Sequence, residues 1–97
     1  MGLFNRNKKE KVQSWVINNK KGTVKLTDKY LKLNIIMPKK EQIIFYNDIT
    51  SLEQKYNFIM IKTNSNSYKI APSGFRKAES IATELYIQIL EKVSEYK

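Results

Sequence analysis

Catalysis has little to work with in this chain. Its 97 residues contain no histidine and no cysteine, which removes the commonest general base, the usual zinc ligands and the thiolate nucleophile. Aspartate occurs only at Asp28 and Asp48, both in turn-like contexts, and the glutamates gather mainly along one polar helical face. Gly2, Gly22 and Gly74 stand far apart, so no glycine-rich phosphate loop exists. No enzymatic activity, metal or cofactor is expected. What remains is cationic chemistry. Lys20, Lys21 and Lys25, with Lys32 beside them, gather about the first hairpin, where they would cradle a phosphate or an anionic headgroup or else form a solvated hairpin tip. No arginine is among them, so each acts as a point charge rather than a bidentate fork. A second cationic group, Arg6, Lys8, Lys9 and Lys11, lies beside Leu3 and Phe4 in the first residues. Against an anionic leaflet each basic residue contributes about 1 kcal/mol.

The charge is unevenly placed. Residues 1–40 hold eleven Lys/Arg against Glu10 and Asp28, whereas residues 41–97 balance seven against seven. The whole excess of +9 therefore belongs to the first part of the chain. Such asymmetry points to an anionic partner or to a merely solubilising surface. The opening residues lack the apolar core of a secretory signal. Met1-Gly2 is followed by Arg6 where a myristoylation pattern needs Ser or Thr. The longest apolar runs, 43–46 and 58–61, fall far short of the ~20 residues that span a bilayer. A cytoplasmic protein is expected, with peripheral attachment at the inner face of the membrane as an option.

These side chains must be positioned by short strands and one helix. Residues 1–10 show no periodicity and are expected to form a flexible basic tail, leaving 11–97 as one domain. Strands are expected over 11–18, 23–27, 30–35, 42–46, 49–54, 57–63 and 67–71, separated by the turn residues Asn18-Asn19-Lys20-Lys21-Gly22, Asp28-Lys29, Pro38-Lys39-Lys40, Asn47-Asp48 and Asn64-Ser65-Asn66. Val24 and Leu26, then Leu31, Leu33 and Ile35, alternate as a half-buried sheet requires. Phe58 to Ile61 is apolar at every position, which suggests cover on both faces. After Pro72, Ser73 is the expected N-cap of a helix running to about Tyr96. Phe75, Ala78, Ile81, Ala82, Leu85, Ile89, Val93 and Tyr96 share one face of it.

Two further surfaces follow from excess apolar character. Residues 43–46 offer more hydrophobic side chains than one buried face needs, so Ile44 and Tyr46 are interface candidates. Tyr86 and Leu90 widen the helix stripe in the same sense. A strand edge of this kind pairs with an extended peptide or a second copy. Aromatic residues lie beside lysines at Tyr30/Lys32, Lys55/Tyr56 and Tyr68/Lys69, the combination single-stranded nucleic acid requires. Exposed tyrosines are also ordinary in strands, so nucleic acid is the least favoured partner.

The order of seven strands and one closing helix resembles the pleckstrin-homology fold. The likeness is carried by GTVKLTDKYLKLN (22–34), IIFYNDITSLEQ (43–54) and FIMIKTNSNSYKIAP (58–72), and covers about residues 11–96. The first segment is similar to the hairpin of bacterial PH and GRAM-like domains. The tryptophan usual in the C-terminal helix of eukaryotic members is missing here, and Trp15 lies in the first strand instead. The resemblance implies a mainly β, seven-stranded open barrel or sandwich capped by a helix. It also implies a non-enzymatic adaptor that docks a protein partner or itself. The alternatives are a membrane-surface or headgroup module acting through the basic side, and a binder of single-stranded nucleic acid.

Overall fold

The computed structural model of the chain describes residues 14–74 and 76–96. The expected basic tail, including Arg6, Lys8, Lys9 and Lys11, lies outside them, as does Phe75. Among the described residues seven strands and one helix follow in order: β1 (Trp15–Ile17), β2 (Lys20–Leu26), β3 (Tyr30–Ile35), β4 (Lys40–Phe45), β5 (Ser51–Lys55), β6 (Phe58–Lys62), β7 (Ser67–Pro72) and α1 (Ala78–Glu95). A single 3₁₀ turn, Tyr46–Asp48, joins β4 to β5. The strands form one antiparallel sheet in the order β4-β3-β2-β1-β7-β6-β5. The expected mainly β architecture with a C-terminal helix is what the chain adopts.

That order forces the sheet to curl. Flat, its edges β4 and β5 would stand about 29 Å apart, at roughly 4.8 Å per strand. Yet six peptide steps join Phe45 to Ser51, and these reach at most about 21 Å. Pairing continues into the link from both sides, which narrows the gap further. The Tyr46 N–H donates to the Lys29 carbonyl and the Thr50 N–H to the Lys62 carbonyl. The result is a half-barrel with a hydrophobic interior and a slot between its edges.

The interior collects alternate residues of every strand. Trp15, Ile17, Leu31, Leu33, Ile35, Ile44, Ile59, Ile61, Tyr68 and Ile70 are buried there together. The helix closes one end, packing on β5, β6, β7 and the 3₁₀ turn. Ala78, Ala82, Leu85 and Ile89 are its buried residues, with Ile81 and Val93 partly covered, as the spacing of the stripe requires. Its C-terminal end is fastened to the β2–β3 turn: the Tyr96 hydroxyl donates to the Asp28 carbonyl at 2.8 Å, and Lys92 lies 3.6 Å from the Asp28 carboxylate.

Two expectations change. The helix does not start at Ser73 but at Ala78, after Lys77 in the left-handed region (φ 57°, ψ 28°). Pro72 is still strand, opposite Trp15, and the Ser73 N–H donates to the Ser14 carbonyl, so the sheet holds this segment until Gly74. Nor is β6 covered equally on its two faces. Ile59 and Ile61 are buried, whereas Phe58 and Met60 are only half-buried, with the Lys69 ammonium 4.6 Å from the Phe58 ring centre.

Candidate anionic-surface site at the open end

Strand polarity sends three turns to the end opposite the helix: 18–19 after β1, 36–39 after β3 and 63–66 after β6. The first is a two-residue hairpin. Asn18 and Asn19 both take positive φ (49° and 73°), which asparagine tolerates and this turn type demands. Asn18 also grips β7, its N–H donating to the Lys69 carbonyl while its side-chain oxygen accepts the Lys69 N–H. Because the turn is this short, Lys20 and Lys21 already belong to β2 rather than to a flexible loop.

The second turn is the most exposed apolar feature of this end. Ile36 is 60% and Met37 80% accessible, far above any core residue. The turn contains a cis bond between Met37 and Pro38, and Lys39 and the first residue of β4, Lys40, follow directly. The Ile36 N–H donates to the Lys21 carbonyl at 3.0 Å, which seats the tip beside the lysines of β2. Lys20, Lys21, Lys39 and Lys40 are all exposed. None of the three turns carries an aspartate or glutamate. A cleft of about 300 Å³ opens between them, lined by Asn18, Lys20, Pro38, Lys40, Gln42 and Tyr68, among others. At its back the Tyr68 hydroxyl lies 3.4 Å from Gln42 Oε1.

The four lysines marked in the sequence do not form one cradle. Lys20 faces the cleft, whereas Lys21, Lys25 and Lys32 stand on the convex face of β2 and β3. Lys25 and Lys32 lie directly opposite each other. Lys32 is engaged with Glu41 at 2.8 Å, and the hydrogen bond to that carboxylate raises its pKa. The site therefore keeps Lys20 and Lys21 from the expected set and adds Lys39, Lys40, Ile36 and Met37. The signal for these was an apolar pair running into a turn with a lysine pair after it.

The interface candidates also divide. Ile44 and Tyr46 are buried, not exposed: register sets Ile44 against Leu31 on the inner face, and Tyr46 fills the corner below the helix. It is Ile43 and Phe45 that reach solvent. On the helix Leu90 is exposed, while Tyr86 packs partly against the core. The aromatic–lysine pairs are scattered. Tyr68 is buried, Tyr30 leans on Phe45, and Tyr56 projects at the end nearer the helix. Among the described residues these pairs do not line one surface.

Comparison of the chain with protein-family models and with curated proteins gave no match. Among the described residues no helix is long and apolar enough to cross a membrane.

Proposed function

We propose that the chain is a PH-like, non-enzymatic binding domain whose open end docks on an anionic membrane surface. The observation that carries this is the Ile36–Met37 tip standing among Lys20, Lys21, Lys39 and Lys40. A soluble domain gains nothing from two apolar side chains held in water at a turn. Inserted at the headgroup boundary, they shed water while the lysines meet phosphate. The likeness to pleckstrin-homology domains supports the same surface, since lipid-binding members use a basic first hairpin.

Magnitudes favour a two-part contact. Four lysines contribute roughly 4 kcal/mol at an anionic leaflet, and less as salt rises. Burying the two tip side chains adds about 3 kcal/mol. Neither part alone holds the protein firmly, and together they give reversible attachment. The acidic helix residues Glu79, Glu84, Glu91 and Glu95 belong to the element that closes the other end. Repelled by the same leaflet, they orient the open end inward.

Co-sedimentation with vesicles of mixed phosphatidylserine and phosphatidylcholine tests this. Binding is expected at physiological salt, with none to phosphatidylcholine alone. Replacing Ile36 and Met37 together by serine should weaken it by tenfold or more. Each of Lys20→Gln, Lys21→Gln, Lys39→Gln and Lys40→Gln should weaken it about fivefold. Binding that ignores the tip substitutions and vanishes at physiological salt would reduce the site to generic charge.

A further inference from the structure

A surface that adjoins the proposed membrane site, and shares Lys39 and Lys40 with it, is prepared for a different partner. Strand β4 is an edge of the sheet, and the phase of its hydrogen bonds is set by the Tyr46 N–H bonding to the Lys29 carbonyl. In an antiparallel ladder the groups alternate. With Tyr46 facing β3, so do Ile44 and Gln42, and the N–H and C=O groups of Glu41, Ile43 and Phe45 point away from the sheet. The same three side chains stand on the convex face, where Ile43 is 44% and Phe45 49% exposed. Tyr30 supports Phe45 edge-on, with ring centres 5.7 Å apart. Apolar side chains and free backbone groups thus coincide along one edge. The charges of this edge lie at its start, in Lys40 and Glu41, and its second half is an apolar edge of the kind natural sheets ordinarily avoid.

The inner side of the edge borders a cleft of about 360 Å³, whose other wall is the polar 63–66 turn, with Asp48 at one end. A second folded copy would have to bring its own 63–66 turn into the same space, and it would set one strongly basic domain against another.

We infer that β4 accepts an extended peptide segment as an eighth, antiparallel strand. Charge and register specify its chemistry. The residues opposite Phe45 and Ile43 are apolar, at alternate positions. Running antiparallel, the segment then passes the β4 start, where Lys39 and Lys40 require acidic residues. The pattern is apolar-x-apolar-x, then an uncharged residue opposite Glu41, then two carboxylates opposite Lys40 and Lys39.

The experiment is a titration of isotope-labelled protein with the synthetic peptide Val-Thr-Val-Thr-Thr-Glu-Asp, followed by amide chemical shifts and hydrogen exchange. Shifts should centre on Glu41, Ile43 and Phe45, and exchange at the Ile43 and Phe45 amides should slow. Ile43→Pro removes an outward N–H while sparing the β3 ladder, a place where a sheet tolerates proline. It should weaken binding at least tenfold with the fold retained by circular dichroism. Phe45→Ser, a second variant that leaves the backbone donors in place, should weaken it about fivefold, as should replacing the peptide carboxylates by lysine. Absence of shifts at millimolar peptide, shifts centred on Ile87 and Leu90, or unchanged binding to a folded Ile43→Pro or Phe45→Ser variant would overturn the inference. So would concentration-dependent broadening of the β4 amides without peptide, which would mark a second copy as the occupant.

Discussion

Gly22→Ala should be among the most damaging single-methyl changes available in this domain, at about 3 kcal/mol. Gly22 lies in the middle of the sheet, opposite Trp15 on one side and Ile35 on the other. A Cβ there would fall 2.1 Å from the Asn34 carbonyl oxygen and 2.9 Å from Ile17 Cδ1. The second contact is a side-chain tip that can yield. The first is backbone, held on both sides by ladder hydrogen bonds, and it cannot yield without prising β3 from β2. Glycine is what lets the curled strands approach this closely. For a domain of this size the loss corresponds to a midpoint roughly 12–24 °C lower in thermal unfolding. A shift of only a degree or two would mean that the sheet relaxes freely at this point, and that the half-barrel is looser than described.

Tyr46→Ala is expected to cost about 4 kcal/mol, the usual toll for emptying an aromatic site in a core. Tyr46 is fully buried, 6.0 Å from the Tyr96 ring, and its hydroxyl donates to the Thr27 carbonyl at 2.8 Å. It ties the β4–β5 corner to the β2–β3 turn, the place where the two sheet edges are brought together. Tyr46→Phe keeps the ring and should cost about 1 kcal/mol for the unsatisfied carbonyl. Burial also pushes the phenol up to about 12 from an ordinary value of 10.0. The folded state then retains a proton that the unfolded chain releases, so stability is complete below about pH 10 and is lost as pH rises toward 12. Denaturant midpoints should fall across that window more steeply in the wild type than in Tyr46→Phe. Parallel slopes, or a small effect of Tyr46→Ala with a change in oligomeric state, would return Tyr46 to the surface.

The hairpins were legible because their signals are local. Alternation through Val24, Leu26, Leu31 and Leu33 fixes both the strands and their inner face, and the β2–β3 turn closes where Asp28-Lys29 suggests. The four-residue apolar run at 43–46 gave no such parity. Only pairing of Ile44 with Leu31 decides that Ile43 and Phe45 face outward. The helix start was misread for a related reason: Pro72 looks like a stop, but at the last position of a strand it costs no needed hydrogen bond. The open end was half visible. Lys20 and Lys21 were marked by charge, yet Ile36 and Met37, between the end of an expected strand and the break at Pro38, carried no signal of their own. Their meeting with Lys39, Lys40 and the first hairpin depends on the curl of the whole sheet, which no local pattern encodes.

The most direct test of the membrane reading is one of orientation. The chain has no cysteine, so Met37→Cys and Ile87→Cys each create a single labelling site. With a polarity-sensitive fluorophore attached, phosphatidylserine-containing vesicles at physiological salt should shift the emission of position 37 to the blue and leave position 87, on the helix, unchanged. Equal shifts at both positions, or a shift at 87 alone, would contradict docking through the open end.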